Sequence, residues 1–298
     1  MEFKKFTLND IPNIHKYFNY SNNHSCDNTV CMTTMWRDYY DTTYSIFNNT
    51  MALNLNYYDY GRCIMFPLGE DVRGFLDEYY NYVKNNNQLF RLCQVTEEQF
   101  DFLDKYYDYE KEEFDELADF LYIADELKTL SGRKNHGYKS NLNFFVKNAN
   151  NFYVKELNEE DANDVKVFLD KFKVENIDRK EDSDSFLEEL HKTIEIVDNY
   201  KLFDVFGLVL YINDIVSGVS IGEIVNDTLF VSIEKANKDI RGTYQFLMTE
   251  FAKKYATDGI IYINREDASG DKGLYKSKMA YNPCKLIKKY VITIRGEK

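Results

Sequence analysis

The sequence predicts an α+β protein of two similar halves, each a mixed, mostly antiparallel sheet flanked by helices. Three observations predict it. The chain has 298 residues, enough for two domains of ordinary size. A short segment recurs: Phe6, Asp10, Ile14 and Phe18 match Leu157, Asp161, Val165 and Leu169 in type and spacing, and the copies lie about one domain length apart. In the second half the strand signals are joined by loops too short for a parallel crossover, so they form an antiparallel meander. The expected division is 1–150 and 151–298.

The elements follow from local pattern. Asp10 and Asp161 each stand before apolar residues at helical spacing, where a carboxylate accepts orphan N–H groups and complements the helix dipole. In the first half, 44–55 and 62–68 read as a hairpin with its turn at 56–61, followed by a helix over 70–84 and a strand over 89–95. A helix over 96–106 then opens on Thr96, with Glu98 and Gln99 behind it. The acidic run 101–119 reads as a solvated helical face. The second half predicts a helix over 183–199 opened by Asp182 or Ser183. Strands at 204–212, 215–224 and 228–234 follow, the first two turning at Asn213-Asp214. A helix over 240–255, a strand over 259–264, a short helix over 271–279 and a strand over 285–294 complete it.

That order, a meander followed by one β-α-β crossover, is the order of GNAT-type N-acyltransferases. The fold class is therefore α+β with two tandem GNAT-like domains. In such proteins a cofactor pyrophosphate sits on the helix after the fourth strand, where unpaired N–H groups favour an anion. Here Arg241, Gly242, Thr243 and Tyr244 occupy that turn. Asp239 stands where Arg or Gln is usual and Tyr244 replaces a small residue, so acetyl-CoA is expected to bind weakly or not at all.

The run Asn264-Arg265-Glu266-Asp267-Ala268-Ser269-Gly270-Asp271-Lys272-Gly273-Leu274, continuing to Ala280-Tyr281-Asn282-Pro283, resembles the signature of the phosphatidylglycerol lysyltransferase C-terminal domain family. Ile233-Glu234-Lys235-Ala236, Arg241-Gly242-Thr243-Tyr244-Gln245, the block from Thr129 to Lys134, the segment Asn141–Phe144 and Trp36-Arg37 resemble further segments of that family. Tyr275 stands where the family usually has Arg, and Ala280 where it has Ser. The resemblance implies a tandem GNAT-like fold related to aminoacyl-tRNA-dependent transferases, which move an amino acid onto an amine or hydroxyl.

Acyl transfer needs a base, a neutral nucleophile and donors for the developing oxyanion. Glu234, at the end of a strand, suits a base or an amine binder, and strict alternation would put Phe230, Ser232 and Glu234 on one face. Arg265 and Glu266 end the next strand, and Tyr281 suits a general acid. These four are the candidate catalytic residues. A salt bridge or a structural ion-pair network is the competing reading of Glu234, Arg265 and Glu266. The cofactor-binding candidates are Arg241, Gly242, Thr243, Tyr244 and Lys278, the last as a phosphate or RNA contact. Glu234 beside Glu266 is expected to titrate high, and Glu234→Gln to slow turnover with little loss of stability. An aminoacyl-tRNA and an acyl-CoA are the two donors left open, with a small-molecule amine or hydroxyl as acceptor. The alternative function is a non-catalytic protein that keeps the fold and binds an amine-containing ligand.

Composition sets the outer limits. Lys and Arg number 37 against 50 Asp and Glu, a net charge of −13, which excludes a dedicated double-stranded DNA binder. The basic island Arg133, Lys134 and Lys139 is a local exception and reads as a phosphate contact or a joint between domains. Five cysteines without a C-x-x-C pair, and four dispersed histidines, predict reduced thiols and no metal site. No apolar stretch approaches a membrane span, and Met1–Lys5 lacks the apolar core of a secretion signal, so a cytoplasmic protein is expected.

Overall fold

A computed structural model describes residues 1–21, 23–177 and 183–298. In chain order its elements begin with β1 (Lys4–Lys5), α1 (Ile11–Phe18), α2 (Val30–Met35), β2 (Thr43–Phe47), β3 (Thr50–Asn56), β4 (Arg62–Met65), β5 (Leu68–Gly69), α3 (Val72–Asn85) and β6 (Arg91–Val95). Next come α4 (Phe100–Tyr106), β7 (Tyr107–Glu113), β8 (Asp119–Ile123), α5 (Ala124–Thr129), α6 (His136–Asn148), β9 (Phe152–Glu156), α7 (Ala162–Asn176), α8 (Ser183–Asp198) and α9 (Tyr200–Phe203). The chain continues through β10 (Phe206–Ile212), β11 (Ile215–Val225), β12 (Thr228–Ala236), α10 (Thr243–Tyr255), β13 (Tyr262–Asn264), α11 (Lys272–Met279), β14 (Lys285–Ile287) and β15 (Tyr290–Glu297).

Contacts divide the chain into two compact units. Unit 1 holds Met1–Phe120, Glu266–Lys276 and Lys285–Lys298; unit 2 holds Leu121–Arg265 and Ser277–Cys284. The sheet of unit 1 runs β1-β2-β3-β4-β6-β15-β7, with β5 on β3. It is antiparallel except where α3 carries the chain from β4 across to a parallel β6. Phe75, Leu76, Tyr79 and Val83 of α3 bury against Ala52, Ile64, Leu92 and Ile292 of the sheet. The sheet of unit 2 runs β8-β13-β12-β11-β10-β9, and α10 makes the corresponding crossover between the parallel strands β12 and β13. Each fold is thus the mixed, GNAT-like sheet that the element order predicts.

Each compact unit draws strands from both halves of the chain. The first sheet takes β15 from the end of the chain, between β6 and β7, and the second takes β8 from the first half, beside β13. Local pattern carries no information about such an exchange, because a strand's residues do not name their partner.

Within each unit the repeated segment builds the same corner. Thr7 and Asp10 form a capping box, as do Asn158 and Asp161. Tyr44 Oη donates to Asp10 at 2.7 Å, and Tyr211 Oη donates to Asp161 at 2.7 Å. Lys4 lies 4.7 Å over the Tyr44 ring and Lys155 lies 5.4 Å over that of Tyr211. A lysine, a capping aspartate and a tyrosine on the neighbouring strand therefore fix the helix start to the sheet edge in both units.

Several local expectations need correction. Residues 44–55 form two strands, because Asn48 and Asn49 take left-handed backbone angles (φ 46° and 54°) and turn the chain between β2 and β3. The acidic run 101–119 is only partly helical; its alternating Tyr and acidic residues build β7. Helix α4 starts after a 3-10 turn capped by Thr96 and Gln99. Asn213-Asp214 makes the expected tight turn (φ 51° and 61°). The strand expected over 285–294 is interrupted between β14 and β15. Helix α8 spans the expected residues, whereas Asp182, a suggested cap for it, lies outside the described residues.

Candidate active site

In unit 2 the strands β12 and β13 pair in parallel, with Phe230 opposite Asn264; Arg265 directly follows the end of β13, and Glu234 lies four residues beyond Phe230 as β12 runs on to Ala236. Arg265 Nη2 donates to Glu234 Oε1 at 3.0 Å, and the two side chains are only 12% and 10% exposed. The guanidinium lies 4.9 Å over the Tyr281 ring and 5.9 Å over that of Tyr122. Tyr138 of α6 stacks on Tyr281, their centroids 3.8 Å apart, and Gln245 Nε2 donates to Tyr281 Oη at 2.9 Å. Glu234, Arg265 and Tyr281 are thus brought together.

The pairing leaves chemistry unused. Glu234 Oε2 and Arg265 Nη1 are buried with no hydrogen-bond partner among the described residues. Burial is the largest influence on Arg265 and opposes its charge, but Glu234 together with Tyr122 and Tyr281 outweighs it and raises the guanidinium above its ordinary value. Burial pushes the Tyr281 hydroxyl up to about 12 against the opposing pull of Arg265, so it is a neutral O–H group at physiological pH. An acceptor, a permanent cationic donor and a neutral hydroxyl therefore converge in a desolvated place.

One sequence expectation fails at Ser232. The register passes from Gly222 opposite Val231 to Ile221 opposite Ile233, so Ser232 is the extra residue of a bulge. A bulge interrupts alternation and re-aims the strand end, and the simple face assignment for Phe230, Ser232 and Glu234 does not hold across it.

The cofactor candidates fall into two places. Gly242 caps α10 with φ +91°, and a Cβ there would lie 2.1 Å from the Asn141 carbonyl oxygen, so only glycine fits against α6. Arg241 is turned onto α6, with Nε 2.9 Å from Asn141 Oδ1 and its guanidinium 4.6 Å over Phe144. Thr243 Oγ1 donates to Ile240 O at 2.6 Å, and the Tyr244 hydroxyl accepts from the backbone of Ala236. The start of α10 is thus engaged by α6 and by its own turn. Lys278 is elsewhere: it is buried, donates from Nζ to Arg265 O at 2.6 Å, and its carbonyl accepts from Tyr122 Oη at 2.8 Å. It clamps the backbone of Arg265.

Glu266 belongs to unit 1, where the chain turns through φ 59°, and its charge bears on Cys26. The charge facing Glu234 is that of Arg265. Around Cys26 lies a constellation the sequence did not reveal. Lys289, 1% exposed, places Nζ 2.7 Å from Asp27 Oδ2, 2.8 Å from Asp119 Oδ1 and 3.6 Å from both Asp267 Oδ2 and Cys26 Sγ. Cys26 N donates to Asp119 Oδ2 at 2.7 Å. Cys26, Asp119 and Asp267 bring their ligand atoms within 4.8 Å of one another, and the cation seated among them is the lysine's own ammonium. Burial opposes that charge, yet Asp119 and Asp27 raise Lys289 well above its ordinary value. Burial also raises the Asp27 carboxyl, with Lys289 pulling the other way, and it raises the Cys26 thiol, with Asp119 adding to the effect. All five cysteines are free thiols. Of this group only Asp267, inside the signature run, carried a sequence signal.

The fold is that of a GNAT-like protein built on two mixed sheets. A model of the family described as phosphatidylglycerol lysyltransferase, C-terminal, matches residues 18–293, and the chain belongs to that family. A conserved protein of unknown function from Bacteroides thetaiotaomicron has the same fold, with a TM-score of 0.88 and 24% identity over 99% of this chain and 100% of that one. L-PGS from Bacillus licheniformis superposes with a TM-score of 0.65 and 13% identity, over 96% of this chain and 92% of that one. An uncharacterized protein of Mycoplasmoides gallisepticum is 26% identical over 178 residues, 59% of this chain and 56% of its own length. The chain therefore aligns with little more than half of that relative. Among the described residues no helix is long and apolar enough to cross a membrane.

Proposed function

We propose that this protein is a transferase that moves an aminoacyl or acyl group onto an amine or hydroxyl acceptor, with its reacting centre at Glu234, Arg265 and Tyr281. The observation that carries this reading is the buried ion pair whose partners each keep one unused polar atom beside a neutral tyrosine hydroxyl. Glu234 Oε2 accepts the proton of the attacking nucleophile. Arg265 Nη1 donates to the carbonyl oxygen as it gains negative charge, where a preorganised donor in a dry site acts most strongly. Tyr281, oriented by Gln245 and Tyr138, donates to the departing oxygen. The tightly covered start of α10 argues for a donor other than an ordinary acyl-CoA, and an aminoacyl ester carried on tRNA fits the family best. The same reading takes 1–150 and 151–298 as two copies of one repeat and the protein as cytoplasmic. Glu266 stands outside the reacting trio.

The test is transfer of a labelled amino acid from aminoacyl-tRNA to small amines and hydroxyl acceptors. Glu234→Gln should lower turnover by roughly 10²-fold. It should also lower stability, because Arg265 then stays buried without its counter-charge. Tyr281→Phe keeps the ring stack and should slow transfer at nearly unchanged stability. Calorimetry with acetyl-CoA should show no micromolar binding. Undiminished transfer in the Glu234→Gln chain would overturn the assignment.

A further inference from the structure

Unit 1 contains a narrow crevice at the end of α2, walled by Trp36, Tyr40, Leu53, Leu55 and Met65, with Asp27 at its polar end. Its volume of about 20 Å³ admits one small head group. Among the described residues that line it, Asp27 alone carries a formal charge. That carboxylate is held in place from three sides: Gln94 Nε2 donates to Oδ1 at 2.9 Å, while Lys289 Nζ and Ser25 Oγ reach Oδ2 at 2.7 and 3.0 Å. The ammonium of Lys289 is shared with Asp119 at 2.8 Å, so Asp27 does not have a whole positive charge to itself. Gln94 is placed by strain: it takes φ 53° within β6, where the register with β15 shifts, and this turns its amide to Asp27. Such a conformation is rare in an ordinary residue and persists where the surroundings over-determine it.

We propose that this crevice binds the protonated end of a primary aliphatic amine, with Asp27 as counter-ion and Trp36 and Tyr40 as aromatic walls. A cation close to aromatic faces gains from their quadrupoles, and it gains more when water is excluded. The head group fills the crevice, and the carbon chain leaves through the open mouth past the half-exposed Trp36 and Met32. A carboxylate would meet Asp27 with repulsion. A neutral alcohol would add nothing to balance Asp27 and Asp119, two carboxylates that share the one ammonium of Lys289, and a quaternary ammonium exceeds the space.

Trp36 is the only tryptophan of the chain, so its emission reports on this crevice directly. Titration of the full chain with n-propylammonium should give a saturable change. Propanol and propionate should give none at the same concentrations, and tetramethylammonium should bind at least about tenfold more weakly. Asp27→Asn should abolish the response. Because that change also disturbs Lys289, Met32→Phe serves as the second variant: Met32 lines the crevice, so the larger ring narrows it, leaves the ion pair intact and should block binding without lowering the melting temperature. Glu234→Gln should titrate like the unaltered chain, which separates this site from the reacting centre of unit 2. Equal responses to propylammonium and propanol, or undiminished binding in a folded Asp27→Asn or Met32→Phe chain, would overturn the proposal.

Discussion

Lys289 is a single ammonium buried between the Asp27 and Asp119 carboxylates, with the Cys26 thiol 3.6 Å away. Removing one partner of a buried pair costs more than the pair contributes, because the survivors keep their charge without water. Lys289→Met should therefore lower unfolding free energy by about 3–5 kcal/mol, read by urea denaturation. The Asp27→Asn, Lys289→Met double variant should recover part of that loss. The pH dependence has a definite sign. Lys289 and Cys26 both bind their protons more tightly folded than unfolded. Their contribution is whole below the unfolded values, about 8.5 for a thiol and about 10.4 for an ammonium, and is lost as pH rises through the folded ones. Melting temperature should fall steeply above about pH 10 in the unaltered chain and less steeply in Lys289→Met. At Tyr281, loss of the hydroxyl removes the acceptor for Gln245, so Tyr281→Phe should cost only about 1 kcal/mol.

Helix α10 shows what one backbone position can demand. Gly242 stands at φ +91° with the Asn141 carbonyl where a side chain would go, so Gly242→Ala should destabilise by about 1–3 kcal/mol. Hydrogen exchange should show the loss at the contact between α6 and the first turn of α10. The helices and the second-half meander were legible in the sequence because apolar period, caps and turn residues are local signals. Asp10 and Asp161 stand at the helix starts as expected, there as the reciprocal carboxylates of capping boxes with Thr7 and Asn158; Thr96 opens the turn before α4, and Asn213-Asp214 turns as its residue types require. Glu234 and Arg265 were legible because strands flanking one crossover helix run parallel and point their later residues toward the same edge, although β13 stops opposite Phe230 while β12 runs on to Ala236. The cluster around Cys26 was not. Asp119 and Lys289 lie 93 and 263 positions from Cys26, and no periodicity links residues so far apart. The bulge at Ser232 was hidden as well, since it is a property of the pairing between two strands and belongs to neither alone.

At the scale of the molecule, the exchange of strands decides which parts of the chain depend on one another. Unit 1 is closed by β15, which pairs with β6 on one side and β7 on the other. A chain stopped at Ile287 loses that middle strand and the ammonium of Lys289 together. Residues 91–113 should then lose their protection against hydrogen exchange, a change that mass spectrometry reads directly. Retained protection there would show that the sheet closes without β15. The same feature imposes a schedule during synthesis. Phe75, Leu76 and Leu92 leave the ribosome first, and the strand that completes their cover begins 198 positions after Leu92. At about 5–20 residues per second the nascent first half waits on the order of ten seconds or more with its sheet open. Translation speed between codons 113 and 290, and the chaperones present in that interval, therefore become determinants of how much of this protein is recovered intact.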